Sequence, residues 1–490
     1  MKLRNFKYLI LSSTILFTSC SKYLDQEPDM RAEINTVDKV KRLVTSAYPS
    51  NNYLAMTETY SDNVEDKGVG ELYEPVPHLY NWKDVIDSDK DTPTAYWNAC
   101  YAAIAAANHA LKAIEKNNFG DEVLPYKGEA LVARAYNHFM LVTFFSKVYD
   151  RSSNANNDSP GIPYVTDPET ITLKNYERGT VKSVYDNIRK DLEEGLSLLA
   201  GSDGAWNVPK YHFTPAAAHA FAARFYLFTG EWQKVVDNAN KIFPSGNFSG
   251  KLTPFNSTFK SQDVATVRTN FTKADQVYNL LITETNSGYE RWWNSRYAMG
   301  VRVTQDIYNG KTAAGAQLYN LGLNYGAPHY TTYLWKEFFY ISDATAGTGY
   351  AMLMVPIFVT DEALLNRAEA YLELGNINAA LADLNLFASN RINNYNPSTH
   401  AVTVAKSKEF FNLSDDKEAL IQTALQFKQI GFMSMGLRWF DIIRKGITVK
   451  HNVIGNDERE TFIELKPEDP RRIFQIPQEA KLAGVEQNPR

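Results

Sequence analysis

Apolar positions along most of this 490-residue chain recur at helical spacing. In residues 91–116 an alanine-rich stretch sets Trp97, Tyr101, Ile104, Asn108 and Leu111 on one face. In residues 123–148 Leu131, Ala135, Phe139 and Val142 do the same. Residues 181–199 and 214–228 read as two further amphipathic helices, the second opened by Thr214-Pro215, an N-cap followed by proline at the first helical position. Two stretches share a finer pattern. Ala223 is followed by Tyr226, Gly230, Trp232, Val235 and Ala239, and Ala368 by Tyr371, Gly375, Ile377, Ala380 and Leu384, at the same offsets. A small residue, an aromatic, a glycine at the turn and a second apolar helix make the tetratricopeptide pattern; generic helical hairpins are the alternative. Such units need neighbours to bury their faces, and these two stand about 145 residues apart, so other helical pairs are expected to pack between them.

The periodicity fails in two places. Residues 245–349 are rich in Gly, Asn, Thr and aromatics, and residues 61–82 have a similar character. The pattern predicts irregular structure there with short helices or strands, set on a helical scaffold of about 37–244 and 350–490. Binding residues tend to sit on such loops. The apolar run at 351–359 is short and broken by Pro356, so it does not read as a membrane span.

The start of the chain follows a different logic. Lys2, Arg4 and Lys7 precede an apolar run at 8–17 and then Thr18-Ser19-Cys20. The run fits a signal-peptide core and is too short to cross a bilayer. Small residues before a cysteine suit a lipoprotein signal peptidase, although Phe17 stands where leucine is usual. The expectation is a signal peptide over 1–19, lipidation at Cys20, a polar tether over 20–36 and a body over 37–490 held on a membrane surface. An ordinary secretory signal is the alternative.

Charge and composition narrow the function. A net charge of −5 and the lack of a basic stripe argue against nucleic acid. With Cys20 lipidated, Cys100 has no disulfide partner. Aromatic residues make up 13% of the chain, with 29 Tyr and 8 Trp, a supply of flat faces with polar tips that suits sugars as well as cores. Asp87, Asp89 and Asp91 have the alternate spacing of a calcium loop, but Thr92 replaces the expected glycine and Asn98 the bidentate glutamate, so a solvated acidic loop leading into the next helix is the better reading. The eight histidines show no metal-ligand spacing, and there is no nucleophile elbow or phosphate loop; no metal, cofactor or enzymatic activity is expected. Arg438, Asp441 and Arg444 fall at i, i+3 and i+6, where the acid reaches either arginine, and read as a structural ion network. Two aromatic-polar clusters are the candidates for ligand contact. One is Asp66, Tyr73, Tyr80, Asn81 and Trp82; the other is Tyr289, Arg291, Trp292, Trp293, Asn294, Arg296 and Tyr297. Adjacent side chains diverge, so one of Trp292 and Trp293 is expected to face ligand and the other to anchor the loop.

Several ordered motifs resemble the SusD/RagB family of nutrient-binding lipoproteins. They are Lys22-Tyr23-Leu24-Asp25 with Pro28; Glu129-Ala130-Leu131-Val132-Ala133-Arg134-Ala135-Tyr136 with Phe139 and Gly161-Ile162-Pro163; Arg178-Gly179-Thr180-Val181 with Tyr185 and Asp191-Leu192; Gly436-Leu437-Arg438-Trp439-Phe440-Asp441-Ile442-Ile443-Arg444; and Ile476-Pro477-Gln478 with Gln487-Asn488-Pro489. Met435 in place of glutamate, Phe145-Ser146-Lys147-Val148 and the ending at Arg490 depart from the family pattern and touch packing and termini. The resemblance implies a mainly α fold in which four tetratricopeptide-like hairpins support a loop-rich, irregular ligand-facing part. It also implies an outward-facing outer-membrane location, a glycan ligand and a SusC-like TonB-dependent transporter as partner. A peptide- or glycopeptide-binding lipoprotein, a tetratricopeptide scaffold for outer-membrane assembly and, third, a surface glycosidase are the alternatives.

Overall fold

The computed structural model describes residues 33–152, 155–168 and 174–490. The expected signal segment, Cys20, the motif at 22–28 and most of the expected tether lie outside these residues. Glu33–Thr36, the end of the expected tether, is already part of the body: the Glu33 carbonyl accepts from Lys39 and the Ile34 carbonyl from Asn117. Thr36 then caps α1 (Val37–Val44) by accepting from the Lys39 N–H.

Helices dominate. After α1 come α2 (Leu54–Tyr60), the short α3 (Val76–Tyr80), α4 (Pro93–Lys116), α5 (Leu124–Phe145), α6 (Val181–Leu199), α7 (Pro215–Thr229), α8 (Trp232–Lys241) and α9 (Val264–Phe271). The C-terminal part adds α10 (Thr360–Glu373), α11 (Ile377–Arg391), α12 (Val404–Phe411), α13 (Asp416–Gly431) and α14 (Arg438–Lys445). Local chemistry sets these boundaries. Thr92, Thr180 and Thr214 cap α4, α6 and α7 with their hydroxyls, and Thr180 forms a reciprocal box with Ser183. Gly230 and Gly375 close α7 and follow α10 in the left-handed region, at φ 73° and 77°.

Helices close in sequence pack as pairs: α4 with α5, α5 with α6, α7 with α8, α10 with α11, and α12 with α13. The two hairpins read from sequence pack directly on each other, α8 and α7 both touching α10, with no helical pair between them. Residues 242–359 leave the scaffold instead, as the loop-rich region, and the chain returns at the point of departure.

Buried ion pairs cross the helix contacts. Arg134 grips Asp191 between α5 and α6 at 2.7 and 2.8 Å, and Arg224 on α7 grips Glu362 on α10 at 2.7 and 2.6 Å. Arg444 on α14 reaches both oxygens of Glu369 on α10 at 2.6 Å and also Asp441, which accepts from Lys428 on α13 at 2.8 Å. The expected network exists with one difference. Arg438 turns to Asp62, with two contacts of 2.8 Å, and not to Asp441. Helical side chains lean toward the N-terminus, which brings Arg444 back onto Asp441 and carries Arg438 away from it.

The strands are few. Asn279–Asn286 (β2) pairs with Thr348–Val359 (β7), which pairs with Glu337–Asp343 (β6), all antiparallel, so the apolar run at 351–359 is a sheet strand. Three two-stranded ladders complete the set: β1 (Glu65–Asp66) with β3 (Tyr297–Ala298), β4 (Gly322–Asn324) with β5 (Tyr330–Thr332), and β8 (Val449–Ile454) with β9 (Glu460–Leu465). The last is a hairpin inside the part expected to be helical. No helix among the described residues is long and apolar enough to cross a membrane.

Candidate functional site

The two candidate clusters, more than 200 residues apart, meet through the β1–β3 ladder, Asp66 opposite Tyr297. The contact extends along 67–71, where Lys67 N–H donates to the Arg296 carbonyl at 3.0 Å and Glu71 exchanges main-chain bonds of 2.9 and 2.8 Å with Asn294 and Arg296. Gly70 permits this approach. Its φ is +122°, and a Cβ there would stand 2.6 Å from the Asn294 carbonyl oxygen.

Next to this seam a tight turn, Tyr289–Asn294, curls over an open cleft. Tyr289, Glu290, Trp292, Trp293 and Tyr297 form one wall, Tyr330–Thr332 and Trp335 another, and Glu58, Thr59 and Asn63 with Met433 and Ser434 the scaffold side. Both adjacent tryptophans border the cleft, because a turn that curls around a concave space points divergent side chains into it. Trp293 stacks on Tyr325 at 4.2 Å, and Trp292 meets Tyr289 edge-on at 5.9 Å.

Salt bridges and caps hold the turn. Asp91, buried beneath its root, accepts from Ser287 Oγ at 2.6 Å and from the Gly288 N–H at 2.7 Å. Burial pushes the Asp91 carboxyl up to about 6 despite these donors. The acidic loop read as solvated is therefore solvated at Asp87 and Asp89 only. Glu290 pairs with Arg268 of α9, and Arg291 forms a two-pronged bridge to Glu337 at the start of β6. Glu58, on the floor, accepts from Asn63 Nδ2 and from the Gly436 N–H at 2.8 Å each. Burial raises its carboxyl to about 7 against those donors; burial also raises Glu290 to about 7, with Arg268 opposing and Glu337 adding to the shift.

Residues 22–227 match the family model described as SusD-like, starch-binding, associating with the outer membrane. The fold agrees. A SusD superfamily protein of Bacteroides vulgatus ATCC 8482 superposes with a TM-score of 0.65 at 20% identity, covering 93% of this chain and 99% of that one. A SusD superfamily protein of Bacteroides thetaiotaomicron VPI-5482 gives 0.64 at 20% identity, covering 93% and 100%. The chain has the SusD-like fold. A laminarin-binding SusD-like protein also shares this fold, with a TM-score of 0.57 at 17% identity over 92% of this chain and 98% of that one. No curated protein matches the sequence.

Within this SusD-type fold the predicted contact residues divide into three groups. Tyr289, Trp292, Trp293 and Tyr297 border the cleft. Arg291, Asn294 and Arg296 hold the turn through Glu337, Glu71 and Asp66; Arg296 grips both oxygens of Asp66 at 2.7 and 2.9 Å. Of the first cluster, Asp66, Tyr80 and Trp82 lie in the core. Tyr80 sits in a column of rings, 4.3 Å from Tyr297 and 4.2 Å from His451, with Trp82 4.4 Å beyond His451. Asn81 donates to the Pro77 carbonyl, and Tyr73 is exposed outside the cleft lining. Glu58, Asn63, Glu290, Tyr330 and Trp335 were absent from the sequence-derived candidates. Tyr330 and Trp335 show the same aromatic-hydroxyl composition that marked 289–297. Glu58 lies within a short helical stretch and carries no such mark.

Proposed function

We propose that this chain is a lipid-anchored outer-membrane protein that binds a glycan in the cleft under Tyr289–Asn294 and passes it to a SusC-like TonB-dependent transporter. The observation that carries the reading is the cleft itself: Trp292, Trp293, Tyr297 and Tyr330 supply flat apolar faces, and Asn63, Thr332 and Ser434 supply polar groups among them. That is the pairing a pyranose needs, stacking for its C–H face and hydrogen bonds for its hydroxyls. The laminarin-binding neighbour of the same fold supports a carbohydrate ligand. Binding without turnover fits the two carboxylates of the cleft, since Glu58 is engaged by Asn63 and Gly436 and Glu290 by Arg268. Lipidation at Cys20, facing outward, fits the signal-like start of the chain.

The test is affinity electrophoresis of the full-length chain in detergent against a broad polysaccharide panel, followed by calorimetry with matching oligosaccharides. Retarded migration on one class, with the glycan recovered intact, is expected. Silence across the panel, or binding of peptides alone, contradicts the reading. Replacement of Cys20 with alanine is expected to release the protein from the membrane fraction, and a co-encoded transporter is expected to co-purify with the lipidated form.

A further inference from the structure

The charged groups around the cleft are unevenly available. Glu58 and Glu290 line it. The arginines nearby are each held by a carboxylate: Arg268 by Glu290, Arg291 by Glu337 and Arg296 by Asp66. Lys67 is turned behind Trp293, donating to the Trp293 carbonyl at 3.0 Å and lying 2.8 Å from His329 Nδ1. Among the described residues no cation forms an ion pair with Glu58, whose carboxylate accepts from Asn63 and from the Gly436 N–H. Two further polar atoms of the walls are buried and unpartnered, Thr332 Oγ1 and Trp335 Nε1. They can serve a ligand hydroxyl, the indole N–H as a donor and the threonine hydroxyl as donor or acceptor.

We propose that the cleft selects sugars that carry no negative charge, with Glu58 and Glu290 as the excluding groups. This rests on the glycan-binding reading above and names the ligand class within it. Above about pH 7, where both acids are ionised, a uronate or sulfate entering the cleft would meet two carboxylates at low local dielectric and find every adjacent guanidinium ion-paired. Displacing a two-pronged arginine–carboxylate pair to serve the ligand would strand the carboxylate. A neutral hexose meets no such opposition, and its hydroxyls match Thr332, Trp335 and Asn63.

The experiment, run about one pH unit above 7 so that both acids are ionised, uses full-length protein and polysaccharides in matched pairs: neutral laminarin and its carboxymethylated form, then other neutral polymers beside their carboxymethylated or sulfated forms, with polygalacturonate added. The expected result is binding of a neutral polymer that weakens at least tenfold in its charged counterpart. In E58Q and E290Q the ratio of the two affinities is expected to narrow severalfold; E290Q, nearer the surface, reads the effect if E58Q folds poorly. Equal or tighter binding of a charged form, displaced by the neutral glycan, overturns the proposal while leaving glycan binding intact. A ratio unchanged in both variants removes Glu58 and Glu290 from the selection. Failure of every glycan, neutral or charged, removes the glycan reading and this inference together.

Discussion

The helical scaffold and the cleft both bury carboxylates, and they treat them in opposite ways. In the scaffold, burial alone would raise Glu369, but Arg444, Lys445 and Lys428 hold it well below the ordinary carboxylate range. Asp441 is likewise lowered, as Lys428 and Arg444 outweigh its burial. In the cleft, burial wins: Glu58 and Glu290 rise to about 7. These two scaffold acids are ringed by cations. The cleft gives Glu290 one, Arg268, and among the described residues none forms an ion pair with Glu58. A carboxyl that burial holds up near neutrality is the kind of group a binding site carries, whereas cation-ringed acids tie helices together.

The comparison breaks most visibly if a scaffold pair is cut. Arg444→Met strands Glu369 and Asp441 in the core and is expected to destabilise the fold by about 3–5 kcal/mol, measured as a lowered denaturant midpoint. A loss below about 1 kcal/mol would show that the network is not what ties α10, α13 and α14 together.

Gly70→Ala attacks the seam between the two regions. The left-handed backbone and the 2.6 Å approach to Asn294 predict a cost of about 1–3 kcal/mol, with weakened glycan binding because the turn shifts. Binding at full strength would disconnect the seam from the cleft.

Trp292→Ala has the reverse signature. Half-buried at the cleft wall, it is expected to cost about tenfold in affinity, roughly 1.4 kcal/mol, while thermal stability moves little.

The smallest effect is the most diagnostic. A buried acid whose folded pKa is raised keeps its proton when the unfolded chain has released it, so its contribution to stability declines as pH rises from about 4.5 through about 7. Glu58→Gln should therefore gain stability relative to the parent chain across that window. Glu369 has the opposite sign. Its folded pKa is depressed, so its contribution is present in full above about 4.5 and is lost as pH falls below it. Unfolding titrations of the two glutamine variants, each referred to the parent, are expected to give curves of opposite slope; parallel curves would erase the distinction.

The scaffold was legible because helices announce themselves locally. Thr92, Thr180 and Thr214 mark starts, Gly230 and Gly375 mark turns, and the apolar period needs no knowledge of the rest of the chain. The cleft was half legible. The aromatic-polar composition of 289–297 pointed to its main wall, and the same composition at 66–82 pointed to a region that folds beside it. Composition does not reveal what a ring stacks on: Tyr80 and Trp82 look like sugar platforms until His451, from the C-terminal hairpin, is found between them. Nor does it reveal pairings between distant segments. Asp66 meets Arg296 and Glu58 meets Gly436 across hundreds of residues, contacts with no periodic trace in the sequence. The direct packing of α8 on α10 was hidden for the same reason, since spacing along the chain was taken for spacing in the solenoid.

The central claim is that the cleft, and not the scaffold, binds glycan. Calorimetry of a Trp292→Ala/Trp293→Ala variant, against the neutral glycan that the parent chain binds, tests it most directly. The account predicts no measurable heat of binding from a protein that unfolds at nearly the parent temperature. Parent-like affinity in that folded variant would place the binding surface elsewhere on the molecule.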